Sequence, residues 1–537
     1  MATLTDINKT PISGYTYIDA LLDIGPDWNY LTPIGNTIFY TFSVDSGNEN
    51  NVFGLQTFSY AQQTYTRSAL AYVSAITGIK IGETSSGEQA QIHFASRDIN
   101  GAMTTGLTSW NSSILYTTSD DLVGYGTNAY VYLDNAEWYA ENSNLAPGGA
   151  GYQTLLHELG HVFGLKHPFE GTITLPFALD STANTLMSYS NNGGPYTTFS
   201  QYDLAAFDWL YGRDGLRGAL GINSANGGRY LSGTTLSETL TGTNSDDKLE
   251  GNAGNDTLNG GAGVDTAVFK VSSAVYKFAL LDNGAVVVTD TSGVDGRDVI
   301  FSIENAQFTD GIFTVADLVN RANMASPPTG GLTLSGTTGN DTFLATEDNL
   351  LINGGDGLDK LVYKTPHTNY IFSRSGTSFV VSDTTDSGKT TVLNSIERIV
   401  FSDISVALDL SGTAGQIYRL YQAAFDREPD LSGLGFWINA MDHGVTLVEV
   451  AANFIRSSEF SGRYGSDLSD EIFVDNLYHN ILGRAPEQAG IDYWLNVLQE
   501  GKAGRDAVLT GFSESLENQI LITGTIVDGI MYLPYAV

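Results

Sequence analysis

Three of the seven histidines lie within the eleven residues from 157 to 167, and a glutamate follows the first of them. If this segment is helical, His157 and His161 project from one face, one turn apart, and can bind the same metal ion. Gly164 can take a left-handed conformation and end the helix, so that the chain turns back and delivers His167 as a third nitrogen ligand. Three histidines leave one position of a tetrahedral zinc ion open for water, which is typical of a catalytic site.

Glu158 has the position of a general base in such a site. Zinc lowers the pKa of a bound water to about 7. A carboxylate within hydrogen-bond reach can then take the proton of that water and later pass it to a leaving amine. The motif therefore predicts hydrolysis of a peptide bond. We interpret the other histidines as surface or core residues: His93, His367, His443 and His479.

Twenty residues after the third histidine lies the segment Leu186-Met187-Ser188-Tyr189. With this segment the histidine motif resembles the metzincin metallopeptidases, whose zinc motif is followed by a methionine-containing turn. The Gly-Leu-Lys-His-Pro ending of the motif and the Ser-Tyr pair resemble the serralysin branch. The resemblance implies an α+β protease domain with Met187 as the floor beneath zinc. It also implies that Tyr189 is an additional zinc ligand, which moves away when substrate binds and then donates a hydrogen bond to the oxyanion.

A second motif repeats every nine residues. Four units begin at positions 233, 242, 251 and 260, and a second block with the same nine-residue phase begins at position 336. Glycines allow a turn to adopt positive φ, and aspartates at position six of stacked units supply the oxygen ligands that calcium prefers. The aliphatic residue at position eight is predicted to point inward and stack into a thin core. We expect several structural calcium ions, with these candidate ligand and turn residues: Asp247, Gly251, Gly254, Asp256, Gly260, Gly261, Gly263, Asp265, Gly336, Gly339, Asp341, Gly354, Gly355, Gly357 and Asp359.

These units resemble the repeats-in-toxin parallel β-roll, which serralysins carry after the protease domain. The module is duplicated, because the segment that begins at Asp265 matches the one that begins at Asp359, 94 residues later. The resemblance implies type I secretion from a Gram-negative bacterium, guided by an uncleaved C-terminal signal. The apolar ending at residues 530–537 is compatible with that signal and equally with a terminal strand. The first residues lack the charged-then-apolar pattern of a cleavable signal peptide.

Composition limits the function further. Asp and Glu number 60 and Lys and Arg number 25, which gives a formal charge of −35. Such a surface repels nucleic acid and anionic membranes, so we expect neither as a partner. The chain has no cysteine, which excludes disulfides and thiol catalysis. No apolar run is long enough to predict a membrane span.

The segment from residue 414 to about 520 shows helical periodicity and an internal repeat of 57 residues. This repeat aligns Tyr421 with Tyr478 and Trp437 with Trp494, and it also aligns Arg427 with Arg484. It resembles tandem helical repeats of unknown function in bacterial secreted and surface proteins. We interpret the aromatic residues as core. The alternative is a module that attaches the chain to a cell surface, a glycan or a surface-layer lattice.

We therefore predict a multidomain chain with an α+β metzincin zinc-protease domain (1–220), two calcium-binding parallel β-roll modules (221–325 and 326–413), and an all-α repeat domain that ends in the export signal (414–537). The predicted function is that of a secreted, calcium-dependent zinc endopeptidase acting on proteins or peptides. Two alternatives stay open. One is a surface-attached binding or lattice protein with an idle protease domain, although idle relatives often lose the carboxylate that Glu158 supplies. The other is a protease that processes a single surface protein.

Overall fold

The computed structural model describes residues 2–32, 35–281, 283–323, 331–345, 349–386, 389–465, 468–482, 486 and 488–535. Arg484 lies outside these residues. The chain forms two compact units. One comprises Met1–Ala253 with Asn259–Phe269, and the other comprises Gly254–Leu258 with Lys270–Val537.

The first unit begins with a mixed sheet and the helices that pack on it. The strands lie in the order β2-β1-β3-β5-β4, with β4 antiparallel to β5 at one edge and the other neighbours parallel. An antiparallel edge strand leaves one row of backbone groups unpaired, which can bind an extended peptide. The elements are α1 (Leu4–Ile7), α2 (Thr16–Asp19), β1 (Thr37–Thr41), α3 (Tyr60–Thr77), β2 (Lys80–Glu83), β3 (Ile92–Arg97), β4 (Gly106–Tyr116), β5 (Leu122–Asp134), α4 (Tyr139–Asn142), α5 (Ala150–Val162) and α6 (Gln201–Tyr211).

The nonapeptide repeats form short parallel strands. In the first unit, Tyr230 pairs with Lys248 and Lys248 with Thr266, so that strands 18 residues apart are neighbours. Each nine-residue unit therefore makes half of one coil. The residues at position eight are completely buried, as the repeat pattern predicts: Leu240, Leu249, Leu258 and Ala267. The strands are β6 (Tyr230–Ser232), β7 (Thr239–Thr241), β8 (Lys248–Glu250), β9 (Thr257–Asn259) and β10 (Thr266–Val268).

A buried ionic network joins helix α6 to the first of these coils. The guanidinium of Arg213 donates to Asp208 Oδ1 at 2.7 Å and contacts Glu250 Oε2 at 2.9 Å. Ser232 donates to Asp208, and the Tyr230 hydroxyl donates to Glu250 at 2.8 Å. Asp208 and Glu250 are 2% and 5% exposed, so their charges depend on these partners.

The second unit contains two similar sets of antiparallel strands. Strands β11, β12 and β13 form an antiparallel meander, and β14 and β15 form a hairpin. The same order recurs in β20-β21-β22 and in β23-β24, which agrees with the duplication seen in the sequence. The elements are β11 (Tyr276–Leu280), β12 (Val286–Asp290), β13 (Arg297–Phe301), β14 (Asn305–Phe308), β15 (Gly311–Thr314), α7 (Val315–Asn323), β16 (Thr333–Ser335), β17 (Thr342–Leu344), β18 (Leu351–Asn353), β19 (Lys360–Val362), β20 (Tyr370–Ser375), β21 (Ser378–Asp383), β22 (Thr390–Asn394), β23 (Arg398–Val400) and β24 (Ser405–Ala407).

A helical region follows and shares one apolar core with the meander β11-β12-β13. Tyr421 and Tyr478 are buried in this core, and Trp437 and Trp494 pack against it, as the internal repeat predicts. The apolar ending of the chain forms a strand that pairs antiparallel with β24. The elements are α8 (Thr413–Phe425), α9 (Leu431–Asp442), α10 (Leu447–Ile455), α11 (Ser458–Tyr464), α12 (Asp470–Leu482), α13 (Gln488–Gln499), α14 (Arg505–Ser513), α15 (Leu516–Ile526) and β25 (Ile530–Tyr532).

No helix in the described part of the chain is both long enough and apolar enough to cross a membrane.

The network around Arg213 predicts a stability effect. Replacing Arg213 with Gln leaves Asp208 and Glu250 buried without their cation, at a cost of about 2–4 kcal/mol, since the partly exposed Arg213 is screened by water. We expect the midpoint of thermal unfolding in calcium to fall by roughly 5–10 °C. Arg67→Gln is the matched control, because Arg67 pairs with Glu83 at the surface and both side chains are about 40% exposed. Equal midpoints for the two variants would contradict the assigned role.

Candidate metal centre

The three motif histidines converge in the structure. Their ligand atoms all lie within 4.8 Å of one another. His161 Nε2 and His167 Nε2 are 3.2 Å apart, and His167 Nε2 and His157 Nε2 are 3.3 Å apart. Three nitrogens at about 2.0–2.1 Å from a tetrahedral zinc ion are separated by about 3.3–3.4 Å. The spacing therefore fits a single zinc ion.

The outer nitrogen of each ring has a hydrogen-bond acceptor. His157 Nδ1 lies 2.7 Å from the carbonyl oxygen of Leu186, and His161 Nδ1 lies 2.8 Å from that of Leu165. His167 Nδ1 lies 2.9 Å from a carboxylate oxygen of Glu170. Because these partners only accept, each Nδ1 carries the proton and each Nε2 presents a lone pair. Three lone pairs that face one another can bind a single cation between them.

Burial also keeps two of the rings neutral. Desolvation lowers the pKa of His157 to about 4 and that of His161 to about 3, with further lowering from the neighbouring imidazoles. A neutral imidazole is the form that binds a metal ion.

The turn after α5 delivers the third histidine. Helix α5 ends at Val162, and Gly164 takes a φ of +92°. The Leu165 amide then donates back to Gly160 O at 2.9 Å, which closes the helix end. The outgoing chain pairs with residues 21–22, since Leu165 bridges Leu22 and the Lys166 amide donates to Leu21 O at 2.8 Å. This pairing fixes the direction in which His167 leaves the turn.

Glu158 lies beside the cluster and is 4% exposed. The Thr108 hydroxyl, from edge strand β4, donates to Glu158 Oε2 at 2.7 Å. A Cβ atom added to Gly106 on the same strand would lie 2.6 Å from Glu158 Oε1, so glycine leaves room for the carboxylate. Desolvation raises the pKa of Glu158 to about 7, although the Thr108 hydrogen bond opposes the shift. The carboxylate is thus held in place, and its pKa lies near neutral pH, as general-base catalysis requires.

The turn that contains Met187, here called the methionine turn, packs against helix α5. Met187 is completely buried, and a side chain at Gly160 of α5 would overlap its sulfur. Asp203, near the start of α6, accepts the Thr185 hydroxyl at 2.6 Å and the Leu186 amide at 2.8 Å. The same Leu186 accepts from His157, so α6 holds the turn that orients the first histidine.

Tyr189 lies at the mouth of the cluster and is 67% exposed. Its ring centroid lies 4.6 Å from that of His167 and 6.0 Å from that of His157. Partial burial raises the pKa of its phenol, and Glu158 and Glu170 raise it further. The phenol therefore stays protonated and can donate a hydrogen bond.

A cleft of about 730 Å³ opens between β4, α5 and the segment after the methionine turn. His157, Glu158 and Tyr189 line it. Apart from Glu158 and His157, the described residues that line it include no Asp, Glu, Lys, Arg or His. The other lining residues are Met103, Thr104, Thr105, Gly106, Trp138, Ala150, Gln153, Thr154, Leu186, Ser188, Tyr189, Asn191, Gly193, Gly194 and Pro195.

The repeat aspartates form ladders along the roll. In the first unit, the Asp247 amide donates to Asp265 Oδ1 at 2.8 Å. In the second unit, the Asp341 amide donates to Asp359 Oδ1 at 2.7 Å. Asp359 is completely buried, and its Oδ2 has no hydrogen-bond partner among the described residues. A buried carboxylate oxygen without a donor is costly, and a bound calcium ion would remove that cost.

The glycines of the repeats serve two purposes. Gly261 and Gly263 have φ values of +94° and +143°, as the sequence predicts for turn glycines. Gly242 and Gly336 do not lie in the left-handed region, but a Cβ atom on either would overlap a carbonyl oxygen of the next coil. Close stacking of the coils, as well as positive φ, therefore requires glycine.

Several functional candidates have no obvious signature in the sequence. Thr108 lies on a strand too polar to predict, and Asp203 is far from the histidine motif in the sequence. Glu170 has a partial signature in the sequence, because it is a carboxylate three residues after the third histidine. Asp298 and Glu397 lie outside the repeats but continue the ladders. Asp298 accepts a hydrogen bond from the Asp256 amide at 2.9 Å, and Glu397 accepts one from the Asp359 amide at 2.7 Å.

Comparison with family models identifies both repeat regions. The RTX calcium-binding nonapeptide repeat matches residues 232–267 and 333–362. A domain of unknown function, DUF4214, matches residues 412–463 and 451–522. The chain therefore carries RTX calcium-binding repeats, which are typical of secreted proteins.

Curated relatives resemble part of the chain. Serralysin G of Dickeya chrysanthemi is 27% identical over 208 residues, covering 34% of this chain and 41% of that protein. Metallopeptidase AprA of Pseudomonas marginalis is 26% identical over 237 residues, covering 36% and 45%. Serralysin of Proteus mirabilis is 27% identical over 218 residues, covering 34% and 42%. The chain thus has a partial, low-identity similarity to serralysin-type metalloproteases and spans less than half of their length.

Among solved structures, the extracellular lipase LipA from Serratia marcescens aligns at 12% identity and a TM-score of 0.13. The alignment covers 33% of this chain and 42% of that chain.

The geometry of the cluster predicts the metal content. We expect the purified, calcium-loaded protein to retain one zinc ion per chain and His161→Ala to lose it, because two imidazoles do not complete the site. Mass spectrometry of elements after gel filtration measures both. His443→Ala is the control, since this ring lies at the exposed end of α9 and contacts the Asn439 carbonyl. Parent protein without zinc, or zinc retained by His161→Ala at parent level, would contradict the site.

Proposed function

We propose that the chain is a secreted, calcium-dependent zinc endopeptidase of the serralysin type. The observation that carries the proposal is the convergence of three Nε2 lone pairs beside a buried carboxylate. The partial similarity to serralysin-type metalloproteases supports the same reaction class. Glu158 is present, and a hydrogen bond from Thr108 holds its carboxylate beside the histidines. This arrangement argues against an idle protease domain.

The residues of the cluster divide the chemistry of peptide hydrolysis among them. His157, His161 and His167 would hold zinc, which when bound lowers the pKa of a coordinated water and polarises a carbonyl group. Glu158 takes a proton from the attacking water and delivers it to the leaving amine. The Tyr189 phenol donates a hydrogen bond to the oxyanion that forms at the scissile carbonyl. In the absence of substrate, we propose Tyr189 as a further zinc ligand.

The substrate is proposed to bind as an extended strand along β4. This strand is the antiparallel edge of its sheet, and its Gly106 and Thr108 lie next to Glu158. Added antiparallel to β4, a peptide would pass the metal cluster with its backbone paired. The mostly uncharged cleft lining supports a preference for uncharged side chains in the part of the substrate that enters it.

Calcium and secretion complete the proposal. Without calcium the aspartate ladders repel one another, and the thin core of the roll cannot offset that repulsion. We propose that the chain leaves a Gram-negative cell unfolded by type I secretion and folds where calcium is abundant. The protease half would then become stable only outside the cell, because α6 is ionically joined to the first coil.

Replacing Glu158 with Ala tests the proposed chemistry. We expect casein cleavage to fall at least about 100-fold, because the proton acceptor is lost, while the zinc content stays at one ion per chain. A zinc chelator should abolish cleavage by the parent protein. Casein digestion by the alanine variant at the parent rate would show that Glu158 is not the base.

The hydrogen bond from Thr108 predicts a graded effect. Thr108→Val keeps the shape of the side chain but removes the donor, so that Glu158 is held less firmly. We expect kcat on a fluorogenic peptide to fall about tenfold with little change in KM, since a hydrogen bond to a charged group contributes about 1.5 kcal/mol. Thr108→Ser should restore most of the rate. If the serine and valine variants are equally slow, the hydroxyl does not position the carboxylate.

A further inference from the structure

Three positive side chains line one small cleft of the second unit, in a chain that has 60 acidic and 25 basic residues. The cleft has a volume of about 140 Å³. Its charged lining consists of Lys277, Arg297, Arg374 and Asp528, and its hydroxyl lining consists of Thr289 and Ser373. Such a concentration of cations runs against the composition of the rest of the chain.

Strand register places Lys277, Thr289 and Arg297 on one face of the meander β11-β12-β13. Lys277 lies opposite Thr289, and Thr289 lies opposite Arg297. The three residues thus form one row across β11, β12 and β13, with the hydroxyl of Thr289 between two cations. Neighbouring strands lie about 4.8 Å apart, so the two cationic residues start about 10 Å from each other. This separation leaves space for one small anion that both side chains can reach.

The second roll module completes the row. Ala279 and Gly376 form a parallel bridge, which brings strand β20 alongside β11. Ser373 and Arg374 of β20 therefore line the same cleft. The Arg374 guanidinium also donates to the carbonyl oxygen of Leu408 at 3.1 Å, which anchors this side chain.

The floor of the cleft is apolar and rigid. Two residues along each strand, Ala279 lies opposite Val287, and Val287 lies opposite Val299. These side chains are no more than 6% exposed and belong to the core shared with the helices. The cationic row is therefore attached to a buried core of the second unit, which holds its geometry before any ligand binds.

The existing partners do not use all the donors of the row. Arg297 Nη1 pairs with Asp528 Oδ2 at 2.8 Å, in a pair that is 27% and 42% exposed. Arg297 Nε is buried and has no hydrogen-bond partner among the described residues. An unsatisfied buried donor is costly, and an acceptor placed in the cleft removes that cost. Lys277 and Arg297 together bring two cations to the row, and Asp528 neutralises one of them.

We propose that this cleft binds a phosphate or sulfate group. A tetrahedral oxyanion offers acceptors in several directions, which suits an ammonium, two guanidinium groups and two hydroxyl groups around one cleft. A volume of about 140 Å³ holds one such group and is too small for a nucleotide-sized ligand, which needs about 300 Å³ or more. The group comes either from a free ion or from a phosphorylated or sulfated polysaccharide.

Calorimetric titration of the full-length, calcium-loaded protein with sodium sulfate tests the proposal. Sulfate is the probe because phosphate precipitates calcium, and sodium chloride of equal ionic strength is the reference. We expect saturable binding at one site. Lys277→Gln should weaken it at least about tenfold, because an ionic hydrogen bond is lost. Asp528→Asn should strengthen it, because the competing carboxylate is removed.

Lys502→Gln is the matched control, since Lys502 is 62% exposed and pairs with Glu500 on another helix end. Thermal unfolding of each variant shows whether the fold is kept. A parallel titration with sulfated dextran and unmodified dextran distinguishes the sources: loss of sulfated-dextran binding in Lys277→Gln identifies a polysaccharide-borne group, and binding of sulfate alone identifies a free ion. No saturable sulfate binding to the parent, or equal affinities in the parent and Lys277→Gln, would overturn the proposal.

Discussion

Three imidazole lone pairs that face one another at 3.2–3.3 Å set the main constraint on the N-terminal part of this chain. This arrangement of neutral acceptors suits a single cation bound between them. The surrounding structure enforces it by giving each Nδ1 an acceptor, two from backbone carbonyls and one from Glu170. Much of the local architecture serves these three hydrogen bonds, including the reversal at Gly164 and the turn that contains Leu186.

Helix α6 connects this cluster to the calcium-binding half of the first unit. At its start, Asp203 holds the methionine turn that orients His157. Toward its end, Asp208 joins the ionic network with Arg213 and Glu250 at the first coil of the roll. A roll that has lost its calcium would therefore weaken the support of the metal site through a single helix. This route links the histidine cluster to the calcium-binding repeats in a chain with no cysteine.

The sequence predicted those features that depend on strict spacing. The i, i+4 histidines, the glycine three residues later and the nine-residue phase each follow from backbone geometry, and the burial of Leu240, Leu249, Leu258 and Ala267 confirms the inward position of the repeat. The unpredicted features depend on tertiary contacts. Strand β4 reads as polar because much of it is exposed, so Thr108 could not be placed beside Glu158. Asp298 and Glu397 join the aspartate ladders from segments without the repeat, and only the fold brings them there.

X-ray absorption at the zinc edge of the purified, substrate-free protein measures the ligands of the bound metal. We expect three imidazole nitrogens at about 2.0–2.1 Å together with one or two oxygens. A zinc shell without histidine nitrogens, or with four protein ligands and no oxygen, would contradict this expectation.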